Sequence, residues 1–414
     1  MVKPETRQIW HKNFIMVLVG QIVSLFGNAI LRFALPLYLL EISGSPTLFG
    51  TVLALSALPM IILSPIGGVV ADRVNKKRIM VTLDFIGAIA IVLYMLSMEV
   101  FSVVPATVVV MMALFGIQAL MTPAVDGSIP LLISADQLVR ANSVVFLVHS
   151  LSGMLGPAVG GILFAAFGIR SILVVSSIAL ALAAIMEMFI RIPDVKQEAA
   201  GKGLAVVFGD IAKGLRFIIK ENPLIAKISI VIFFLQVTLG AFAIIGIPVM
   251  ITQSLKMPES MVGIAQAIMG AGGILGGILA GVLGNKLRIQ KSHLLLLAVS
   301  ALFIPLGLAF LFGAHYTVIY IILVATCLVV VCMMTLVSIR LVTLIQAESP
   351  PEMLGKVMAL FIMLSTLGLP FGQFIYGILF EQLATLPWLV IFIAVVSSGI
   401  SALNSRRYFK GIPD

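Results

Sequence analysis

The chain has 414 residues, of which 61% are hydrophobic and only 10% are charged, and its mean hydropathy is +1.20. So little polar surface cannot cover a water-soluble globule of this size, which excludes a soluble protein. The net charge of +9 is explained by basic residues placed beside a membrane and in contact with anionic lipid headgroups, and no nucleic-acid partner is predicted.

Continuous apolar runs along the chain are long enough to cross a hydrocarbon core of about 30 Å as helices. They are too continuous for transmembrane strands, which alternate polar and apolar residues. Twelve spans are predicted, and they cover residues 14–41, 47–71, 79–98, 104–126, 143–168, 171–190, 224–253, 261–285, 292–312, 316–345, 357–381 and 386–405.

Lysine and arginine residues orient these spans. If both termini are cytoplasmic, nearly all basic residues fall in the tails and in every second connection, and only Arg170 and Lys256 lie on the outer side. This is the asymmetry of the positive-inside rule. The sequence therefore predicts a multi-pass protein of the inner (plasma) membrane with both termini in the cytoplasm.

The first predicted span carries a polar stripe. Gln21, Asn28 and Arg32 are seven and four residues apart, which places them on one face of a helix. Ionisable groups inside a membrane are costly unless they pair or face water, so they are candidate functional residues. Arg32 is predicted to hold either a substrate oxygen or a carboxylate of another helix, and the sequence leaves both roles open.

The loop after the second predicted span concentrates charge, with five charged residues between Asp72 and Arg78. A basic run at the membrane face serves topology and binds anionic lipid, but a lone carboxylate among bases adds nothing to orientation. Asp72 is therefore a candidate for a contact that changes during function. Asp84, six residues beyond Arg78, is predicted to belong to the same charge network.

Further ionisable residues lie inside the later spans. Asp126 and Arg340 lie toward the inner ends of the fourth and tenth predicted spans, so they are candidates for a pair between the two halves of the chain. Glu187 precedes Arg191 by four residues, which is the spacing of a pair at the helix surface. Small residues at a spacing of four allow close helix approach. The eighth span has two such rows, which are Gly273, Gly277 and Gly281, and Gly276, Ala280 and Gly284.

The longest polar interruption, residues 193–223, separates six spans from six. Its apolar residues recur at helical spacing, which indicates an amphipathic helix on the inner membrane surface or a simple tether between the halves. The halves also repeat, because residues 48–78 can be laid on 261–291 so that Gly68 meets Gly281 and Asp72 meets Asn285.

These features predict an all-α membrane protein of twelve transmembrane helices in two six-helix bundles related by pseudo-twofold symmetry. Its predicted parts are an N-terminal bundle at 1–192, a cytoplasmic linker at 193–223 and a C-terminal bundle at 224–414.

Two motifs carry a resemblance to a known family. The loop Gly68-x-x-x-Asp72-Arg73-x-Asn75-x-Lys77-Arg78 resembles the one between helices 2 and 3 of the major facilitator superfamily, with Asn75 where the family has a glycine. Asparagine also tolerates a left-handed backbone. The fifth-span segment Gly156-Pro157-x-x-Gly160-Gly161 is similar to the antiporter motif of exporters in that family. Stretches such as TPAVDGSIPLLISADQLVRAN resemble the macrolide-efflux branch, which also contains siderophore exporters.

The resemblance implies roles for these residues. The charged loop would be a cytoplasmic gate that closes while the substrate site faces outward. The first, fourth and tenth helices would line the cavity, which makes a set of five polar residues candidates for substrate binding or coupling. These are Gln21, Asn28, Arg32, Asp126 and Arg340.

The sequence contains no phosphate loop of the G-x-x-x-x-G-K-[ST] kind, so an ion gradient is the expected source of energy. The predicted function is proton-coupled export of amphipathic, drug-like or macrolide-like molecules by alternating access. Two alternatives stay open: export of a siderophore or other anionic metabolite, favoured by Arg32, and flipping of lysophospholipid. No enzyme activity, metal or cofactor is predicted, and a monomer in the lipid bilayer is expected.

Overall fold

The computed structural model describes residues 11–134, 137–192, 209, 212–283, 289–350 and 353–409. Every regular element in this part of the chain is helical. A hydrocarbon environment explains this, because each backbone N–H and C=O group there must find its partner within the protein, and a helix provides that partner within one segment.

The first five helices are α1 Lys12–Ser43, α2 Pro46–Arg73, α3 Lys76–Ser97, α4 Val103–Leu132 and α5 Leu138–Met188. The later helices are α6 Pro223–Leu235, α7 Ala241–Val249, α8 Glu259–Leu283, α9 Ser292–Ala301, α10 Ile304–Leu311, α11 Tyr316–Ala347, α12 Leu354–Gln382 and α13 Pro387–Phe409. Short π-helical segments adjoin α6 and α7, at Phe217–Glu221, Gln236–Gly240 and Met250–Ser254.

Eleven helical segments of the described residues are long and apolar enough to cross a membrane. One of them, Arg140–Met188, has 49 residues, whereas a span needs about 20. Gly168 interrupts α5 with φ 69°, a left-handed conformation that glycine adopts without a steric penalty. Helix α5 therefore contains both the fifth and the sixth predicted span, which agrees with the prediction of twelve.

Contacts between Cα atoms divide the chain into two compact units. Unit 1 comprises Met1–Tyr38 and Leu55–Val207, and unit 2 comprises Leu39–Ala54 and Phe208–Asp414. The predicted linker falls mainly on residues 193–208 and 210–211, which lie outside the described residues. Its later part, residues 212–221, is helical, and its place on a membrane surface stays a prediction. The boundaries predicted at 192 and 224 stay a prediction.

In unit 1, helix α1 buries one continuous face. Seven of its buried residues are three or four positions apart, which is the spacing of a single helix face. They are Phe14, Val17, Gln21, Ser24, Asn28, Leu31 and Leu35. The middle of this face is polar and both of its ends are apolar. Phe14 and Val17 belong to an apolar cluster that also contains Met80 of α3 and Ile190 after α5.

The start of α3 shows why asparagine serves at position 75. Asn75 has φ −55°, so the left-handed backbone expected at this position is absent. Its side-chain oxygen instead accepts a hydrogen bond from the Arg78 backbone N–H at 3.2 Å. This is an N-cap, which satisfies one of the free N–H groups in the first turn of the helix. A glycine would make no such bond.

In unit 2, helices α8 and α11 cross closely at two glycines. A Cβ atom added to Gly272 would lie 2.5 Å from the Leu328 carbonyl oxygen, and one added to Gly276 would lie 2.4 Å from the Cys332 carbonyl oxygen. Gly276 belongs to one of the two rows of small residues read from the sequence, and it makes this crossing. The other row does not, since a Cβ added to Gly277 would meet no described atom within 4 Å.

This difference predicts that two neighbouring substitutions affect the stability of the protein differently. Gly276→Ala is expected to destabilise the protein by about 1–3 kcal/mol, because the new methyl group must push α8 away from α11. Gly277→Ala makes the same chemical change on open surface and is the matched control, which should leave stability unchanged. Thermal unfolding in one detergent measures both, and equal melting temperatures for the two variants would contradict the observed crossing.

Candidate functional site

The charged loop lies at the junction of α2 and α3. Arg73 and Arg78 are exposed and Lys77 is half-buried. A Cβ added to Gly68 would meet no described atom within 4 Å, so this glycine leaves the surface of α2 open. The side chain of Asp72 lies outside the described residues, and its role as a gate stays a prediction.

Asp84 lies away from this loop, in contrast to the position expected from the sequence. Its side chain is 1% exposed, and its Oδ1 atom accepts a hydrogen bond from Ser24 Oγ of α1 at 2.9 Å. Asp84 comes eight residues, or about 12 Å, after the start of α3. Asp84 therefore lies in the interior of unit 1 and does not belong to the charge network of the loop, where the sequence had placed it.

Glu187 is also buried in unit 1, so its interpretation as a surface partner of Arg191 is wrong. Its side chain is 0% exposed, and its Oε1 atom accepts a hydrogen bond from Gln21 Nε2 at 3.3 Å. Gln21 and Ser24 are neighbours on the buried face of α1, and Asp84 acts electrostatically on Glu187. Two carboxyl groups from α3 and α5 thus approach the same polar patch of α1.

The predicted polar stripe of α1 divides into two environments. Gln21 and Asn28 are buried, and Asn28 Nδ2 donates to the Ser24 backbone oxygen at 3.1 Å. Arg32 is half-buried, and its guanidinium carbon lies 3.7 Å from the centre of the Phe115 ring of α4. A cation over an aromatic face is stabilised by the ring quadrupole. Arg32 is therefore held between α1 and α4.

The antiporter-like motif brings α5 against α1. A Cβ added to Gly156 would lie 2.4 Å from the Ala29 Cβ atom, and one added to Gly160 would lie 3.2 Å from the Ile30 backbone oxygen. Gly161 is buried and Pro157 is half-buried beside them. The glycines of this motif allow a close helix crossing directly beside the polar stripe of α1.

The remaining two candidates lie in different units. Asp126 of α4 is exposed and close enough to His149 for an electrostatic interaction within unit 1. Arg340 of α11 belongs to unit 2 and is half-buried. The pairing of Asp126 with Arg340 stays a prediction.

Unit 2 contains a cavity of about 310 Å³ between α6, the π-helical segment Gln236–Gly240 and α11. Three uncharged polar residues line it: Gln236, Thr335 and Ser338. The other lining residues are apolar, namely Ile232, Leu235, Met334, Val337, Ile339 and Leu341. Ligand cavities commonly have such mostly apolar walls with a few polar groups, and π-helical segments are frequent at functional sites.

A second site in unit 2 joins the start of α2 to the end of α12. Glu381 Oε2 accepts hydrogen bonds from Ser45 Oγ and, at 3.0 Å, from the Thr47 backbone N–H. A carboxylate at a helix N-terminus is favoured by the free N–H groups and by the helix dipole. Below it, a Cβ added to Gly50 would lie 2.3 Å from the Gln373 carbonyl oxygen, so the two helices touch along their backbones.

Sequence reasoning missed three groups of residues at these sites. Ser24 continues the polar stripe of α1, at three residues from Gln21, and could have been included by spacing. The Ser-Pro-Thr sequence at residues 45–47 is typical of a helix start, which could have drawn attention to the start of α2 but not to Glu381. The polar residues of the cavity had no signal, because isolated glutamine, threonine and serine residues occur throughout the spans.

Comparisons with known proteins agree with this helical architecture. Macrolide efflux protein A of Streptococcus pyogenes is 24% identical over 95% of this chain and 97% of its own length. The enterobactin exporter EntS of Escherichia coli O6:K15:H31 is 22% identical over 89% of this chain and 85% of its own length. The crystal structure of the nucleoside transporter NupG superposes with a TM-score of 0.72 at 17% identity, covering 96% of this chain and all of that one.

A family model, described as Major Facilitator Superfamily, matches residues 17–373. That match covers most of the chain, and the superposed structure has the corresponding fold. The chain is therefore a multi-pass membrane transporter, not an enzyme, and it belongs to the major facilitator superfamily.

Proposed function

We propose that this chain is a secondary active exporter of amphipathic small molecules that exchanges its substrate for protons. The observation that carries the proposal is the cavity of unit 2, whose walls combine six apolar residues with Gln236, Thr335 and Ser338. An amphipathic molecule can bury its apolar surface there and form a few hydrogen bonds. The similarity to a macrolide efflux protein over almost the whole chain supports this substrate class.

The direction of transport and its energy source follow from the sequence features. The basic residues favour cytoplasmic termini, and the motif around Gly156 and Pro157 is similar to that of exporters. The sequence has no phosphate loop, so a proton gradient is the proposed energy source. Parallel six-helix repeats are the architecture in which two halves rock around a substrate site.

In this proposal, Glu381 holds the start of α2 against the end of α12 and acts as part of a gate. The start of α2 must separate from the end of α12 whenever a path opens between them. The two hydrogen bonds that Glu381 accepts there would then be replaced by bonds to water. Exposure to water weakens such bonds, so they can hold this contact closed and still be broken during transport.

Transport itself is tested with inverted membrane vesicles, in which the cytoplasmic face of the membrane is outside. An acid interior is expected to drive accumulation of a macrolide such as erythromycin, and an ionophore that removes the gradient should stop it. Vesicles without the protein provide the control. Movement at full rate without any ion gradient would contradict antiport and would indicate a facilitator or a lipid flippase.

The cavity is tested by a matched pair of substitutions on α11. Thr335 lines the cavity, whereas Thr343 is exposed two turns further along the same helix. Thr335→Val is expected to weaken macrolide binding about fivefold, because one hydrogen bond of about 1 kcal/mol is lost. Thr343→Val should bind like the wild type. Binding to purified protein measures both, and equal affinities would place the substrate elsewhere.

A second candidate function, export of an anionic catecholate siderophore, is favoured by Arg32. Its guanidinium group is half-buried over the Phe115 ring, and such a cation can bind a phenolate or carboxylate. The similarity to an enterobactin exporter supports this alternative.

Arg32→Gln separates the two candidates. If the substrate is an anionic siderophore, its binding should weaken about tenfold, since hydrogen bonds to charged groups are worth about 1.5–3 kcal/mol. Macrolide binding should be spared. A lower melting temperature with both affinities preserved would instead assign Arg32 a structural role.

A further inference from the structure

The pair formed by Asp84 and Glu187 has the chemistry of a proton-binding site. Both side chains are buried, at 1% and 0% exposure, and each uses one carboxyl oxygen to accept a hydrogen bond from α1. The other oxygens, Asp84 Oδ2 and Glu187 Oε2, are also buried and accept no hydrogen bond from a described protein group. Two buried acids therefore each have an oxygen whose bonding capacity is unused.

The hydrogen bonds that these acids do accept come from neutral donors. Gln21 and Ser24 supply no positive charge, so they cannot neutralise a carboxylate. Of the basic residues near the ends of these three helices, Lys12, Arg78 and Arg191 are exposed, and Lys76 and Lys77 at the start of α3 are half-buried. The other base of α1, Arg32, lies over the Phe115 ring eight residues beyond Ser24.

The neighbouring helix α4 adds no positive charge at this depth. Its acid Asp126 is exposed, and Lys76 at the start of α3 extends its side chain toward Gly127 of α4. The charged group that acts on Glu187 is Asp84, which carries the same sign.

Electrostatics makes this arrangement unfavourable when both acids are ionised. Moving one carboxylate out of water costs several kcal/mol, and a second one nearby adds repulsion in a medium of low dielectric. A single proton on the pair removes one of the two charges and turns one unused oxygen into a hydrogen-bond donor. The pair is thus suited to hold one proton.

The residues around the two acids leave room for their side chains and shield them. Gly20 leaves room for the glutamate, because a Cβ added there would lie 3.3 Å from Glu187 Cγ. Toward the nearer helix ends lies the apolar cluster that contains Phe14, Val17, Met80 and Ile190. This cluster lies on that side of the acids, and both side chains are almost fully buried, so the pair is shielded from water in this conformation.

We propose that Asp84 and Glu187 together form the site that binds the proton exchanged for substrate. This inference rests on the proposed function, since it names the residues that would couple export to the proton gradient. The pair takes up a proton when it is open to one side of the membrane and releases it when it is open to the other. Gln21 and Ser24 of α1 position the two acids.

Infrared spectroscopy of the purified protein in lipid tests proton binding without a substrate. Between alkaline and neutral buffer, exposed carboxyl groups stay ionised. The wild type is expected to gain the C=O stretching band of a protonated acid over this interval, and Glu187→Gln and Asp84→Asn should lose it. Glu99→Gln is the control, because Glu99 is 66% exposed in a surface ion pair with Arg170, and it should keep the band.

Two further measurements decide the outcome if a variant fails to fold. Isotope labelling of glutamate carboxyl groups in the wild type should shift the band, and this needs no substitution. A wild type without the band would overturn the proposal. Suppression of the band by sodium chloride, but not by choline chloride, would also overturn it and would make the pair a sodium site.

Transport then tests coupling. Glu187→Gln resembles the protonated acid, so it should still exchange labelled for unlabelled erythromycin across the vesicle membrane. Its accumulation driven by the proton gradient should fall to the level found without a gradient. Gradient-driven accumulation equal to that of Glu99→Gln would overturn the assignment while leaving proton antiport in place. A wild type without gradient-driven accumulation would overturn the proposed function and with it the coupling role.

Discussion

The buried polar patch on α1 is the feature on which the arrangement of unit 1 depends. A helix inside a bundle normally buries apolar residues, but the face of α1 that runs from Phe14 to Leu35 carries Gln21, Ser24 and Asn28 at its centre. Buried polar groups must be hydrogen-bonded, so these residues determine which parts of α3 and α5 lie against α1. Gly20 and Gly27 of α1 leave room for Glu187 and Ala179, which lie in the part of α5 after Gly168.

Unit 2 relies on close helix crossings of a kind that unit 1 also has at Gly67, where an added Cβ atom would lie 2.5 Å from the Ala119 carbonyl oxygen. Its closest helix crossings are made by glycines that lie against backbone carbonyl oxygens, as at Gly272, Gly276 and Gly372. In a membrane, helices gain little from the hydrophobic effect and associate mainly through van der Waals packing, which such crossings maximise. The π-helical segment at Gln236–Gly240 takes part in this packing, since Gly372 lies against the Val237 carbonyl oxygen, and the cavity lies beside the segment. The proposed substrate cavity is therefore next to a segment that is packed closely against α12.

The two units accordingly carry different chemistry. Unit 2 has an apolar cavity with uncharged polar groups, which suits an amphipathic substrate. Unit 1 has the buried acids Asp84 and Glu187, which suit a proton. In the proposed mechanism, substrate and proton act on different helices, and each biases the same conformational equilibrium.

The sequence by itself determined the helical class, the number of spans and the family, because apolar runs of sufficient length have one outcome in a bilayer and the loop motif is distinctive. It also placed Gln21 and Asn28 on one polar face of α1 and drew attention to the glycines around Gly156, since spacing along the chain places residues on helix faces. Only the tertiary structure decided that Glu187 is buried against Gln21 and that Asp84 is bonded to Ser24, 60 positions away in the chain. Helical periodicity describes one helix at a time, whereas the partner of a buried acid depends on which helices pack together and at what depth.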